Sequence, residues 1–395
     1  MEQQTVSGRR AASSLTAAAL LSIFPYALVN TLTSVIVNEV VEAFSLTGTS
    51  QGLMSSMVNL GLMLALVTTP LIQGRVNKLV MLLLAGVLQG VMLVVGGGAG
   101  SIAVYLAACV FIGMGNGWTD SYANSCIVDV HKTDGPKFLG FLHGLFGVGS
   151  LLTPIIVQML LDVSDWRGVH YALAAFVGVS MCGMLALMLR TRRLGGVPAT
   201  EEQPLQLRDV ADYLKKKRNL LLLIAGTLAS ATQTGVLVWI VRYMTVRYDA
   251  ALLGTMSITV FWVCATVNRF CIASIRMKPM RLFVLGCALS AVFVCGGVAA
   301  NSAVAMCVAM GATGLVSGHF MPIMLSEGAI GYAGKTTMTT SVMLFVMGVI
   351  RIFVPLAMAF LSTSISFVAG MLLPAATALL AALFGLLTER AQTNE

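Results

Sequence analysis

The chain has 395 residues, of which 57% are hydrophobic and 10% are charged, and its mean hydropathy is +0.90. Soluble domains carry about 25% charged residues, so the composition excludes a soluble protein and predicts a polytopic membrane protein. The net charge of +8 does not indicate nucleic acid as a partner, because most of the Lys and Arg residues lie in predicted cytoplasmic loops.

Apolar segments of about 20 residues, the length needed to cross the hydrocarbon core, predict twelve membrane-spanning α-helices. They lie near 15–40, 49–72, 79–97, 101–129, 137–161, 169–189, 219–242, 250–273, 281–299, 302–326, 336–360 and 365–388. The long polar stretch 190–218 separates the first six from the last six. The sequence therefore predicts an N-terminal six-helix bundle over 1–189, a cytoplasmic linker over 190–218 and a C-terminal six-helix bundle over 219–395.

The basic residues predict the orientation of these spans. With the N-terminus inside, 19 of the 24 Lys and Arg residues fall in cytoplasmic segments. The positive-inside rule then places both termini in the cytoplasm. The membrane that we expect is the plasma (inner) membrane. We interpret the basic run at 215–218 as a topology signal that contacts lipid headgroups.

The fourth and fifth predicted spans carry the most informative polar residues. Asp120 lies deep among uncharged residues, where a charge costs several kcal/mol unless it faces water or a partner. Asn124 follows four residues later and so shares its helical face. The glycines of these two spans permit close helix–helix approach, at positions 113, 117, 140, 144, 147 and 149. Together they predict a moving bundle with a polar, hydrated interior.

Twelve spans in a 6+6 arrangement resemble the major facilitator superfamily, whose two halves rock about a site near the midplane. The loop Pro70–Lys78 is similar to the superfamily's short basic loop, G-x-x-x-D-R-x-G-R/K. Gly74 stands at the position of the acid in that motif, and Asn77 stands at the position of its second glycine.

Five segments resemble the fucose permease branch of the superfamily in more detail. They are Gly113-Met114-Gly115 with Asp120 and Asn124, Phe146-Gly147-Val148-Gly149, Asn30-Thr31-Leu32, Phe261-Trp262 with Asn268-Arg269, and Pro322 with Ser326. This resemblance implies proton-coupled symport of a sugar. Two positions depart from the family: its acid in the first span falls on Ser34, and Arg351 replaces a glycine cluster before Pro355.

Three ionisable residues within spans are candidates for the transport chemistry. Asp120 is the candidate for proton coupling, because desolvation favours the neutral carboxyl and permits loading and release of a proton. The alternative is a fixed ion pair with Arg351 or Arg269. Arg351 has a planar fork of donors that suits a carboxylate or phosphate, so the alternatives are that it contacts the substrate, that it pairs with Asp120, or that it does neither. Arg269 is interpreted as a gate or helix-end contact near the cytoplasm.

Other polar and aromatic residues are candidates for solute binding or gating. Amides suit the hydroxyls of a sugar and an aromatic face suits its ring, and the alternative for each is interhelical hydrogen bonding or packing. The predicted solute contacts besides Arg351 are Asn124, Asn30, Trp118, His319, Gln233 and Asn59. Asp129 and Glu327 lie at inner helix ends beside basic loops, where gating salt bridges are expected.

Nothing in the sequence resembles a Walker loop, a metal cluster or a catalytic triad, so an ATP-driven pump or an enzyme is not expected. The sequence predicts a monomeric secondary active transporter, without metal or cofactor, for proton-coupled uptake of a small hydrophilic solute such as a sugar or sugar acid. Sodium is the other possible coupling ion. Efflux or exchange of organic anions or drugs by the same fold is one alternative. A transport-inactive sensor or scaffold is another, and the charges inside the spans argue against it.

Overall fold

The computed structural model describes residues 2–45, 51–131, 134–193, 204 and 206–393. Residues 49 and 50 of the predicted second span, and 194–203 and 205 of the predicted linker, lie outside the described residues. The described part of the chain is mainly helical and contains no strand. The prediction of an all-α protein with long apolar helices is confirmed for the described residues.

The helices in the first half of the chain are α1 (Glu2–Val35), α2 (Val37–Ala43), α3 (Gln51–Ile72), α4 (Lys78–Gly97), α5 (Ile102–Val130), α6 (Gly135–Leu161) and α7 (Trp166–Arg193). Those in the second half are α8 (Leu207–Lys215), α9 (Lys217–Tyr248), α10 (Ala251–Cys271), α11 (Pro279–Ala299), α12 (Ala303–Ser317), α13 (Phe320–Gly328), α14 (Thr336–Ser364) and α15 (Phe367–Thr393). The 3₁₀ turn Ile272–Ser274 follows α10.

The described residues form twelve long helical segments when α12 and α13 are counted as one interrupted span. Ten of them are long and apolar enough to cross a membrane by length and composition, and α3 adds the shorter apolar segment Ser56–Ile72. The twelfth is α10, whose 21 residues also exceed the length needed to span the hydrocarbon core at about 1.5 Å per residue. The helix bounds differ from the predicted spans mainly by extension of helix ends into the polar flanks.

The chain forms two compact units. Unit 1 comprises Met1–Thr133, Leu145–Leu205 and Gly331–Ser341, and unit 2 comprises Asp134–Gly144, Gln206–Ile330 and Val342–Glu395. Helices α6 and α14 therefore each contribute residues to both units.

Unit 1 is built around α5, which packs on α1, α3 and α4. A Cβ atom added at Gly113 of α5 would lie 2.0 Å from the carbonyl oxygen of Val58 on α3, so only glycine allows this approach. Before α4, Gly74 turns the chain with a φ of 73°. Asn77 then caps α4, because its side-chain oxygen accepts a hydrogen bond from the backbone N–H of Leu79 at 2.9 Å. These two residues give the basic loop a local structural role.

Unit 2 is built around α9, which packs on α10 and α15, while α12 packs on α10 and α11. Its apolar core includes Ile240, Phe261, Met310 and Met358. The predicted tenth span is interrupted between Ser317 and Phe320, where α12 ends and α13 begins. Transporter sites are often formed at such discontinuous helices.

Candidate functional site

The carboxylate of Asp120 lies half-buried on α5 in unit 1. The amide nitrogen of Asn124, one turn later, donates to Asp120 Oδ1 at 2.8 Å and to the backbone oxygen of Asp120 at 2.7 Å. Asn124 is fully buried. The four-residue spacing thus places the two side chains in contact, as the helical periodicity predicts. Because both acceptors are oxygens, the orientation of the Asn124 amide is fixed by its surroundings.

A chain of amides joins α4, α5 and α1 within unit 1. Gln89 Nε2 donates to Asn116 Oδ1 at 2.9 Å, and Asn116 Nδ2 donates to Asn30 Oδ1 at 3.3 Å. Gln89 and Asn116 are buried, whereas Asn30 is half-buried. Gly115 makes room for Gln89, because a Cβ atom at that position would lie 2.6 Å from Gln89 Cγ. The glycines of the Gly113-Met114-Gly115 segment therefore serve both helix approach and this polar chain.

The two other predicted solute contacts of unit 1 have different surroundings. Trp118 is half-buried on α5, and its indole N–H donates to Thr68 Oγ1 at 3.3 Å. Asn59 is exposed on α3. The structure therefore gives Trp118 an interhelical hydrogen bond and leaves Asn59 accessible on its helix.

A buried ion pair with a shared hydroxyl lies at the ends of α4 and α5. Lys78 Nζ is 2.6 Å from Asp129 Oδ2, and it donates to Thr336 Oγ1 at 2.8 Å. Thr336 Oγ1 donates in turn to Asp129 Oδ1 at 2.6 Å. The Lys78 side chain is 1% exposed and that of Asp129 is 12% exposed. All three residues belong to unit 1, and they close a triangle of charge-assisted hydrogen bonds.

The interruption of the tenth span in unit 2 follows from its sequence. The carbonyl of Gly318 would accept a bond from the backbone nitrogen four residues later, but that residue is Pro322, which has no N–H. Arg269 Nε donates to this carbonyl oxygen instead, at 3.1 Å, and Arg269 Nη1 donates to the His143 carbonyl at 3.2 Å. The Arg269 guanidinium also lies 5.5 Å from the Trp262 ring. Arg269 is buried and caps the C-terminal end of α12, where a cation is favourable.

Two further side chains hold the same interruption. Gln233 Nε2, on α9, donates to the carbonyl oxygen of Ser317 at 2.8 Å. His319 is buried, with its Nδ1 3.0 Å from Asn268 Oδ1 and its Nε2 3.2 Å from the Leu282 carbonyl. Both ring nitrogens of His319 are therefore engaged by the protein. Gln233 is half-buried, and its amide orientation is fixed because a carbonyl oxygen only accepts.

Arg351 lies on α14 in unit 2 and is exposed. Its Nε donates to Ser230 Oγ at 3.2 Å, and Ser230 Oγ donates to the Met347 carbonyl at 3.0 Å. Ser230 and Gln233 are three residues apart on α9 and share a helical face. Arg351 and Gln233 are thus linked through neighbouring positions of one helix.

The other predicted gating acid, Glu327, forms a second buried ion pair. Arg218 Nη2, at the start of α9, is 2.8 Å from Glu327 Oε2, and Arg218 Nη1 donates to the Glu327 backbone oxygen at 3.2 Å. Their side chains are 7% and 9% exposed. Asp129 and Glu327 are therefore both paired with basic residues inside their own units.

Several functional candidates were not predicted from sequence, namely Lys78, Thr336, Arg218, Ser230, Asn116 and Asn268. The sequence indicates Lys78 only as part of a basic loop and Arg218 only as part of a basic run, and their burial in ion pairs has no local sequence mark. Within the described residues, no group of three or more His, Cys, Asp or Glu side chains is arranged to hold a metal ion.

The family model of the Major Facilitator Superfamily matches residues 19–350. The chain belongs to the major facilitator superfamily. The sequence resemblance to this superfamily is therefore confirmed. Comparison of the sequence with curated proteins finds no significant match.

Solved structures share the fold over almost the whole chain. The fucose:proton symporter FucP of E. coli superposes with a TM-score of 0.75 at 15% identity, covering 94% of this chain and 98% of that chain. The proton:xylose symporter XylE has a TM-score of 0.72 at 13% identity, covering 94% of each chain. The human organic anion transporter MFSD10 (TETRAN) has a TM-score of 0.71 at 15% identity, covering 96% of this chain and 99% of that chain.

Proposed function

We propose that this multi-pass membrane protein is a secondary active transporter that takes up a sugar or sugar acid together with protons, by alternating access. The observation that carries this proposal is the carboxylate of Asp120, half-buried in a membrane-spanning helix and held by Asn124. An ionisable group at such a depth is expensive and marks a functional position. The names of two structural neighbours, a fucose:proton and a proton:xylose symporter, favour the same class of solute and ion.

Asp120 and Asn124 have different roles in the proposed proton coupling. Asn124 donates to Asp120 Oδ1 at 2.8 Å and so holds the carboxyl group in place on α5. Asp120 is the proposed carrier of the transported proton, which it binds and releases during the cycle. Ser34 replaces the second family acid, so at most one proton passes through this pair.

Arg351 and Gln233 are the proposed solute contacts in unit 2. The guanidinium of Arg351 suits a carboxylate, and the Nε2 of Gln233 is occupied by the Ser317 carbonyl. Gln233 therefore presents its Oε1 as an acceptor, which suits a hydroxyl. A sugar acid carries both groups. Asn30, Asn124, Asn59, Trp118 and His319 remain predicted contacts, and contact through His319 requires one of its two ring hydrogen bonds to open.

The ion pairs and Arg269 are proposed gating elements. Lys78 with Asp129, and Arg218 with Glu327, join the ends of different helices. Arg269 stabilises the interruption between α12 and α13 through the Gly318 carbonyl. A gate must be stable in one state and open in another, and a buried ion pair provides a specific contact for the closed state.

A second function is favoured by Arg351, which replaces a family glycine cluster. An arginine at this position suits an organic anion, and one structural neighbour is named an organic anion transporter. Efflux or exchange of organic anions or drugs is therefore the competing proposal. It differs from the first in the direction of transport and in its independence from a proton gradient.

The proposed setting is the plasma (inner) membrane, with both termini cytoplasmic and the chain monomeric in lipid. The bias of basic residues to one side supports this orientation. In a cysteine-free background, single cysteines at exposed Asp212 and at Gly98 test it. A membrane-impermeant maleimide added outside should label position 98 and not position 212, and the reverse pattern would contradict the orientation.

The function is tested by counterflow in proteoliposomes with a panel of sugars, sugar acids and simple carboxylates. We expect counterflow with a sugar or sugar acid, and accumulation of that solute under an imposed pH gradient but not under a sodium gradient. Counterflow of organic anions or drugs alone, with no response to the pH gradient, would favour the competing proposal. Absence of counterflow with every solute class would contradict both.

A further inference from the structure

An apolar groove runs along unit 1 between α4 and α7 and encloses about 630 Å³, a volume within the range of roughly 300–1,000 Å³ typical of ligand pockets. The floor of the groove is formed by glycines, which have no Cβ atom. A Cβ atom at Gly178 would meet no atom within 4 Å, and one at Gly90 would have Val177 Cγ1 as its nearest neighbour at 3.5 Å. The exposed rims carry Val87, Val91, Val94 and Leu185. The groove is therefore deep at these glycines, and no polar side chain lies on its floor.

The length of the groove matches one leaflet of a bilayer. Along α4 it extends from Leu83 to Val94, which corresponds to about 16 Å at about 1.5 Å per residue. Half of the hydrocarbon core of a bilayer is about 15 Å. A single acyl chain lying along Gly90 and Gly178 would follow the length of the groove towards Gly97.

A cation and two aromatic side chains lie at that end. Arg167 Nη1 donates to the Gly97 carbonyl at 2.7 Å, and its guanidinium lies 4.4 Å from the Trp166 ring. Tyr171 lines the groove with 45% of its surface exposed. The Asp165 carboxylate oxygen Oδ1 accepts a hydrogen bond of 2.9 Å from the backbone N–H of Gly168. Trp166 is buried, whereas the exposed Tyr171 is a residue type typical of the membrane interface. A guanidinium there suits a phosphate.

We propose that this groove is a phospholipid site, in which one acyl chain lies against Gly90 and Gly178 and the phosphate contacts Arg167. A second copy of the chain fits less well. Two copies related by a two-fold axis along the membrane normal would present the same surface to each other. Both Arg167 side chains would then lie at the same depth and repel each other, whereas a phosphodiester is complementary to Arg167. The site is independent of the proposed transport function.

The first test is native mass spectrometry of the purified protein, delipidated and titrated with phosphatidylglycerol. Gly178→Leu fills the groove, and Gly183→Leu is the matched control, because Gly183 lies on the same helix with no atom within 4 Å of a Cβ and does not line the groove. We expect one phospholipid adduct on the wild type and the control, with at least tenfold weaker binding to Gly178→Leu. Arg167→Gln should weaken phosphatidylglycerol binding about fivefold and leave binding of a fatty-acid methyl ester unchanged.

A second measurement requires no substitution. Cys182 lines the groove and is exposed, and Cys295 is an exposed cysteine on α11 outside it. In detergent, phosphatidylglycerol should slow alkylation of Cys182 by a lipid-soluble maleimide by at least fivefold relative to Cys295. Equal slowing of both cysteines, or equal lipid binding by Gly178→Leu and Gly183→Leu, would overturn the site. A chain dimer that Gly178→Leu abolishes would assign the groove to a second copy instead.

Discussion

The Lys78–Asp129–Thr336 triangle gives a stability prediction with a magnitude. Lys78→Met removes an ammonium that is 1% exposed and leaves the Asp129 carboxylate, 12% exposed, with only the Thr336 hydroxyl of the triangle. Removing one partner of a buried ion pair costs about 3–5 kcal/mol. The residual exposure of Asp129 favours the lower end of that range. Since 1 kcal/mol shifts Tm by roughly 2–4 °C for a domain of this size, we expect a fall in Tm of about 6–12 °C.

The measurement is thermal unfolding in detergent, followed by tryptophan fluorescence. The matched control is Arg281→Met, which removes a pair of similar length, 2.8 Å to Glu389, whose arginine is 62% exposed. Exposed pairs contribute at most about 1 kcal/mol, so this control should shift Tm by less than about 4 °C. The double variant Lys78→Met/Asp129→Leu should cost less than the sum of its single changes. Equal small shifts for Lys78→Met and Arg281→Met, or strict additivity in the double variant, would refute the reasoning.

Two other substitutions test the solute contact and the helix packing. Arg351→Lys should weaken equilibrium binding of an acidic solute about tenfold to a hundredfold, because charge-assisted hydrogen bonds contribute about 1.5–3 kcal/mol and an ammonium cannot reproduce the planar fork of donors. The control Arg247→Lys, at an exposed arginine, should leave the affinity unchanged. Equal affinities of Arg351→Lys and the wild type would remove Arg351 from the site. Gly113→Ala should lower Tm, because its Cβ would lie 2.0 Å from a backbone oxygen and overpacking costs about 1–3 kcal/mol. Gly183→Ala has open space at its Cβ and should keep or slightly raise Tm, since alanine favours a helix interior over glycine. Equal Tm values for both variants would contradict the close approach at Gly113.

Much of the fold was predictable because its determinants are local in sequence. Apolar length and the positions of polar loops placed the spans, and the i, i+4 spacing placed Asn124 against Asp120. The interruption at Gly318 was not predicted, although Pro322 four residues later removes the N–H that the Gly318 carbonyl needs. Pro322 is visible in the sequence, but there it indicates only a resemblance to the fucose permease branch.

The polar partners were less predictable because they come from distant parts of the chain. Lys78 lies 51 residues from Asp129 and 258 from Thr336, and no periodicity relates such positions. Arg218 was interpreted as part of a basic run, yet it is buried against Glu327. A charged residue next to a loop has the same sequence appearance whether it faces water or a buried acid. Only the packing of helices distinguishes the two cases.

The most direct test of the account is whether Asp120 carries the transported proton. Once counterflow has identified a solute, it is added to proteoliposomes in weakly buffered medium, and the external pH is recorded. We expect solute-induced alkalinisation with the wild type and with Asp162→Asn, the matched control, whose exposed carboxylate accepts from Gln158 four residues earlier. Asp120→Asn should retain counterflow and lose the alkalinisation. Alkalinisation of wild-type size in Asp120→Asn would contradict the central claim.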